Sequence, residues 1–504
     1  ISAAIVPIIY IFRHYETILL YPPLFQLKLY VLDFNYYLIY YLLAINFIYF
    51  SLLFFSYVSA GRQYKLWGLK SKSLLFKKSM LPSISIIAPA YNEGKTIVES
   101  ANSLLNLKYP DFELIIVNDG STDNTLDVLI NRFDLKRVYY LFTEKIATKE
   151  IRGVYVNRSR PLLVVVDKDN GGKADSLNVG INVSRKDYFC GIDADSLLED
   201  EALLKLAALS LDEDTEMPAY GGNICTINSC KVEYGKITEL RLPDNKLARL
   251  QTIEYIRAFM AGRPGWAYLK SLLIISGAFG LFQKDRVIES GGYLTSSGQY
   301  RRDTVGEDME LVVRLKRMMI EKKRHFRIGY AVNANCWTEV PEKIKNLKSQ
   351  RHRWHRGLLD ILYFHRKMLC NPRYGRIGLI AMPYFMIFEA IGPLIEIQGY
   401  LLVVAAYFLG VLSIEIALLL FLTTVLIGVV ISVSALIIAE KEQERYSLKD
   451  LFVLIFFAVI ENFGPRQFFS LLRVGGSISI LKKPQGWGKF ERQGFAPLDP
   501  LAKR

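Results

Sequence analysis

Residues 188–195 read Tyr188-Phe189-Cys190-Gly191-Ile192-Asp193-Ala194-Asp195. An apolar run that ends in two carboxylates one residue apart predicts a short buried strand with acidic groups at its C-terminal edge. Three other short apolar runs read as strands, Ser83–Pro89 (SISIIAP), Glu113–Asn118 (ELIIVN) and Pro161–Asp167 (PLLVVVD), and the last two also end in an amide or acidic group. Helical patterns separate and follow them at Thr96–Leu107, Thr122–Arg132, Ala174–Ser184 and Asp200–Ser210. Such alternation predicts an α/β domain with a mostly parallel sheet, whose ligands bind beyond the carboxyl ends of the strands.

Outside this region the chain is apolar. It has 504 residues, 51% of them hydrophobic, and a positive mean hydropathy of +0.19, so part of it is expected to lie in lipid. Tyr36–Gly61 and Ile416–Ala439 carry no charged side chain, and each is long enough to cross a hydrocarbon core of roughly 30 Å. Ile377–Ser413 and Leu451–Leu472 are apolar but interrupted by glutamates and prolines, and read as spans, re-entrant pieces or interfacial helices. Ile1–Phe12 reads as a truncated span or a trimmed end, with no signal-peptide cleavage site after it.

Basic residues flank the intervening segment: Arg62, Lys65 and Lys70 on one side, Arg366, Lys367 and Arg373 on the other. By the positive-inside rule this segment is expected in the cytoplasm. The organisation expected is thus an N-terminal membrane region 1–61, a cytoplasmic domain 62–375, interfacial and transmembrane helices 376–473, and a basic tail 474–504. The formal net charge of +14 clusters beside membrane segments, which favours anionic lipid and substrate phosphates over nucleic acid as partners. The five cysteines form no CxxC pair, as expected of reduced thiols.

Several motifs have an ordinary reading beside the chemical one. Asp119, in Val117-Asn118-Asp119-Gly120-Ser121, either starts a turn and caps a helix or accepts the N3–H of a uracil. Gly171-Gly172-Lys173 before a helix is either a glycine turn or a phosphate site. Asp193 and Asp195, directly after a strand, stand where oxygen ligands would hold diphosphate-bound Mg²⁺ or Mn²⁺. Glu307-Asp308 opens an amphipathic helix, where acidic residues also complement the helix dipole; transfer to a hydroxyl needs a carboxylate base, and Asp308 is the candidate. Gln350-Arg351-His352-Arg353-Trp354 joins two arginines to a flat aromatic face, suiting a diphosphate clamp and a stacked sugar.

Together, over roughly residues 82–370, these residues resemble the processive family-2 inverting glycosyltransferases, the synthases of cellulose, chitin, hyaluronan and poly-N-acetylglucosamine. The resemblance implies an α/β GT-A cytoplasmic domain combined with α-helical transmembrane segments. It implies that Asp119 binds uridine and Lys173 lies near the nucleotide. Asp193 and Asp195 would hold the metal-diphosphate, Gln350 and Arg353 the donor, and Asp308 would be the base of a (T/G)(E/D)D box whose first place is Gly306. Gln350, Arg353 and Trp354 match the Q(Q/R)xRW signature, with Arg351 in its variable place. Trp354, Glu307 and the loop Gly277, Ala278, Phe279 would face the acceptor. Residues 226–272 are a long insertion-like stretch relative to compact members.

The function implied is polymerisation of a UDP-sugar, UDP-N-acetylglucosamine first and UDP-glucose second, onto a growing polysaccharide beside the bilayer. The product would cross the membrane, and Glu389 and Glu396, seven apart, either line that path or face lipid headgroups. The tail after Leu472 is too short for a regulatory domain, so control would come from an accessory membrane subunit. A non-processive transferase acting on a polyprenyl phosphate shares the acidic set and is the alternative.

Overall fold

The computed structural model describes residues 10, 12, 14–74, 81–212, 215–441, 443 and 445–479. Most of Ile1–Phe12 and the basic residues Lys482, Lys483, Lys489 and Arg492 lie outside the described residues.

Among the described residues twelve strands occur in chain order: β1 Ile84–Ala90, β2 Phe112–Asn118, β3 Lys136–Val138, β4 Ile151–Asn157, β5 Arg160–Lys168, β6 Tyr188–Ile192, β7 Leu197–Leu198, β8 Glu216–Thr226, β9 Lys231–Glu233, β10 Lys236–Glu239, β11 Phe279–Gln283 and β12 Phe326–Thr338. Ten form one sheet in the order β3-β4-β5-β2-β1-β6-β11-β8-β12-β7. The strands β5, β2, β1 and β6 are mutually parallel, and their β-branched residues are buried on both faces: Ile84, Ile87, Ile115, Val165 and Val166 have no exposed surface. Continuous apolar runs of this kind mark a parallel sheet covered on both sides. The helices Ile97–Leu105, Thr125–Phe133 and Lys173–Val183 connect successive strands.

Register carries function here. Ala90 pairs with Asn118 and Asn118 with Asp167, so these strands end level with one another. The strand order also reverses at β1, since β2 and β5 stack on one side of it and β6 on the other. A crevice opens beyond the carboxyl ends at such a switch point. Past β6, antiparallel β11 and the parallel pair β8–β12 extend the sheet.

Among the described residues three helical stretches are long and apolar enough to cross a membrane: Pro23–Gly68, Ile377–Phe408 and Ile414–Glu440. The first lies in a 52-residue helix, Pro23–Leu74, about 78 Å long at 1.5 Å per residue, far more than a bilayer core needs. Its distal end docks on the sheet: Gln63 donates to the Tyr330 carbonyl at 2.9 Å and accepts from the Val332 amide at 3.0 Å. Leu451–Leu472 is not one span. It breaks into Leu448–Ile460 and the start of Pro465–Ser479 around Gly464 (φ +121°), and each helix is shorter than the roughly 20 residues a crossing needs.

Residues 226–272 form the junction between sheet and membrane helices. After the β9–β10 hairpin, helix Lys246–Ile256 continues through a π-helical turn, Arg257–Gly262, into Arg263–Tyr268. Ser56 of the first long helix donates to the Ala261 carbonyl at 2.7 Å. A Cβ on Gly265 would lie 2.5 Å from the Leu52 carbonyl oxygen, so only glycine permits this helix crossing. Arg257 pairs with Glu461 (2.5 Å) and Ser432 (2.8 Å).

Candidate active site

Asp119, one residue past β2, is buried and takes three donors: Lys168 Nζ at 2.6 Å, the Gly171 amide at 2.9 Å and the Gly172 amide at 2.8 Å. Lys168, fully buried, reaches Asp175 at 2.8 Å as well. Removing Lys168 would leave Asp119 and Asp175 buried without their shared cation, at a cost of about 3–5 kcal/mol. Asp119 therefore pins the turn 170–172, where Gly172 adopts φ +85° before the helix Lys173–Val183 begins. A carboxylate has about four lone-pair positions, so one remains for a ligand.

That turn aims Lys173 across the crevice. Its Nζ lies 2.5 Å from Asp193 Oδ1, 3.0 Å from the Gly277 carbonyl oxygen and 3.4 Å from Glu307 Oε1. Burial opposes the ammonium charge, but Asp193, Glu307 and Asp308 outweigh it and hold the pKa above its ordinary value. One cation thus joins the acidic turn after β6 to the acidic start of helix Glu307–Glu321. Burial raises the Glu307 carboxyl to about 7, Lys173 pulling it down and Asp308 pushing it up. Asp308 Oδ1 accepts the Met309 amide at 2.8 Å, and Gly277 is so close that a Cβ there would lie 3.4 Å from Asp308 Oδ2.

Helix Ile344–Phe364 brings the basic-aromatic run to the same crevice. Arg351, in the variable place of that run, is buried and forms a bidentate pair with Glu254 at 2.5 and 2.6 Å. Its guanidinium also stacks on Trp354, 4.7 Å from the ring centroid. It therefore anchors the helix, while Gln350, Arg353 and the half-exposed Trp354 line the cavity.

One cavity of about 2560 Å³ collects Asp119, Lys173, Asp193, Asp195, Gly277, Ala278, Glu307, Asp308, Gln350, Arg353 and Trp354. Phe279 departs from the expectation. Its side chain is fully buried, under Gly222, where a Cβ would lie 2.3 Å from the ring, so it belongs to the core and not to the acceptor wall. As the first residue of β11 it takes the inward position of the strand alternation. Glu396 is likewise absent from the cavity, held by Ser470 (2.8 Å) and facing Arg466 (3.9 Å). Glu389 does line it, paired with Arg473 at 2.7 Å.

Sequence reasoning missed Lys168, Glu254 and Arg263. Lys168 had a signal, a lysine ending an apolar strand directly beside Asp167; Glu254 and Arg263 lay in the stretch without a motif.

A model for glycosyl transferase family 2 matches residues 85–274, and one for glycosyl transferase family group 2 matches residues 188–438. Poly-beta-1,6-N-acetyl-D-glucosamine synthase of Staphylococcus aureus (strain COL) is 27% identical over 311 residues, covering 62% of this chain and 61% of the relative. The enzyme of the same description from Staphylococcus epidermidis is 28% identical over 295 residues, covering 58% and 59%. The chain thus spans about three-fifths of the curated relatives it matches. A solved structure of mannosyltransferase PcManGT from Pyrobaculum calidifontis, in complex with GDP-Man and Mn²⁺, has a TM-score of 0.46 at 15% identity, covering 85% of this chain and 99% of that one. The two family models together take in the parallel sheet, the acidic edge, the basic-aromatic helix and two of the three long apolar helices. The fold is a GT-A domain joined to membrane helices, and the chain is a glycosyltransferase that the family-2 models match from residue 85 to residue 438.

Proposed function

We propose that this chain polymerises a UDP-activated sugar, by inverting transfer, into a β-linked exopolysaccharide and passes the product across the membrane. The observation that carries the reading is the continuity of one cavity from Asp119 and Asp193, past Asp308 and Trp354, to Tyr384, Glu389 and Arg473 beside the apolar helices. Its volume exceeds the roughly 300–1,000 Å³ of a small-molecule pocket, as a nucleotide sugar and several acceptor sugars together require.

Asp193 and Asp195 are the residues that would hold Mg²⁺ or Mn²⁺. Among the described residues no group of three or more His, Cys, Asp or Glu side chains could cage an ion alone. Two carboxylates completed by donor phosphate oxygens suit a hard cation that keeps few protein ligands. Such an ion, when bound, would offset charge on the departing diphosphate. Asp308 takes the proton of the acceptor hydroxyl, and in-line attack inverts the α-linked donor. Gln350 and Arg353 bind the diphosphate end, Trp354 stacks the terminal sugar, and Glu307 with the Gly277–Ala278 backbone borders the acceptor. Asp119 and the turn it pins shape the nucleotide end, and Lys173 fixes Asp193 against the base helix.

N-acetylglucosamine is the first-choice sugar, in keeping with the names of the relatives, and glucose the second. The basic flanks of residues 62–375 favour a cytoplasmic active site in a multi-pass plasma-membrane protein. The two long apolar helices after residue 376 would then return the chain to the cytoplasmic side. Purified protein in lipid nanodiscs, given each UDP-sugar with Mg²⁺ or Mn²⁺, should release UDP and build a high-mass polymer from UDP-N-acetylglucosamine. Single-sugar products on added polyprenyl phosphate would replace the polymerase with a lipid-carrier transferase.

A further inference from the structure

Arg263 stands at the start of helix Arg263–Tyr268, which Gly265 presses against the Leu52 backbone, so its Cα has little freedom. The side chain is fixed twice more. Its Nε donates to the Ile275 carbonyl at 3.1 Å, and its guanidinium carbon stacks 3.7 Å from the centroid of Phe259, itself buried. Arg263 lines the cavity that holds Asp308, Gly277 and Trp354, and Asp308 and Glu389 are among the charges that act on it.

The other arginines near the membrane face differ from it. Arg257 is taken by Glu461 and Ser432, Arg351 by Glu254, and Arg473 by Glu389. Among the described residues no carboxylate lies within ion-pair distance of Arg263, and no protein acceptor takes its two Nη groups. A guanidinium with stem, face and Nε all committed presents a rigid fork of donors to the cavity. A preorganised fork loses little freedom when it binds a pair of adjacent oxygens.

Arg263 also touches the backbone two residues before Gly277, whose carbonyl Lys173 holds at 3.0 Å. The two cations therefore clamp the loop 275–277, beside the base, from separate elements.

Resting on the polymerase reading above, we infer that Arg263 is an acceptor-positioning residue that donates through its Nη groups to uncharged oxygens, hydroxyl or acetamido carbonyl, of the sugar nearest Asp308. The ligand class is a neutral amino-sugar oligomer, not the nucleotide, whose contacts lie with Asp119, Asp193 and Arg353.

The test is elongation of a short β-1,6-linked N-acetylglucosamine oligosaccharide by the purified full chain, comparing wild type with Arg263→Lys and Arg263→Gln. UDP binding is measured by calorimetry on each protein as a check of folding. Arg263→Gln should raise the acceptor KM roughly tenfold or more with UDP affinity unchanged, since a hydrogen bond from a charged donor is lost. Arg263→Lys, which keeps the charge but not the fork, should fall between. An unchanged acceptor KM in a variant that binds UDP normally would overturn the assignment, as would an effect confined to the donor KM. Wild type that binds UDP but elongates no oligosaccharide would instead bring down the polymerase reading, and this assignment with it.

Discussion

Gly306 and Gly357 meet backbone to backbone. A Cβ on Gly357 would lie 2.9 Å from the Gly306 Cα, and one on Gly306 would lie 3.0 Å from the Gly357 Cα. Gly306 precedes the helix that carries Asp308 and Gly357 follows Trp354 by one turn, so this crossing sets the distance between Asp308 and Trp354. The first place of the (T/G)(E/D)D box is glycine here because no side chain fits between the two helices.

Gly357→Ala should therefore push the helices apart. Overpacking costs roughly 1–3 kcal/mol in stability, but the larger effect falls on turnover, since a displacement near 1 Å can cost about 100-fold. Steady-state kinetics on membranes should show kcat reduced at least tenfold with UDP binding retained. Turnover near wild type would mean the crossing is not what aligns the site.

Glu307 should make activity depend on pH. Burial lifts its carboxyl toward about 7, so it is expected to gain negative charge beside Asp308 as pH rises through that region. A second negative charge strengthens the neighbouring base, so kcat/KM should climb several-fold, about three- to tenfold, across this range. Glu307→Gln should hold the low-pH plateau and lose the climb, whereas Asp308→Asn should abolish transfer at every pH while UDP still binds. An inflection near pH 7 that persists in Glu307→Gln would assign it to another group.

How far the sequence revealed this arrangement depended on what each residue packs against. The parallel strands were legible because Ile84–Ile87, Leu114–Val117 and Val164–Val166 are buried on both faces and read as unbroken apolar runs. The strands β8 and β12 were not, because polar residues interrupt them: Asn223 donates to Asn335 at 2.8 Å inside the sheet, a pairing invisible before the strands are adjacent. The glycines of β8 hid it too, since Gly221 and Gly222 make room for Ile275 and Phe279. Glu389 and Glu396 were visible as a seven-residue spacing. Their partners Arg473 and Arg466, also seven apart but on an antiparallel helix, appear only in the fold. The acidic edge and the basic-aromatic helix could be read directly, since each sits at an element boundary where its chemistry shows in the local pattern.

Lys316, on the inner face of the base helix, offers a test of stability. It is fully buried, its Nζ donates to the Lys270 carbonyl at 3.2 Å, and burial lowers its pKa from 10.5 to about 7. Between these values the unfolded chain holds a proton that the folded chain does not, so stability rises with pH across that window; below about 7 the full cost of burying the charge remains. Lys316→Met should raise the thermal midpoint most at or below pH 7 and flatten the rise toward pH 10. A lower midpoint at pH 6 would show that the lysine is needed where it lies.

On the polymerase reading, donor chemistry and polymer retention share one cavity but rest on different side chains, and product length in paired variants separates the two. Stacking on an aromatic ring contributes roughly 0.5–1.5 kcal/mol, about two- to twelvefold at each register the chain occupies. Trp354→Ala should release UDP and bind donor as wild type does yet make short products, while Arg353→Ala should lose donor use at every product length. Sizing the products of both variants and of wild type on one gel gives the answer: short chains from Trp354→Ala alone support the account, and Trp354→Ala products as long as those of wild type contradict it.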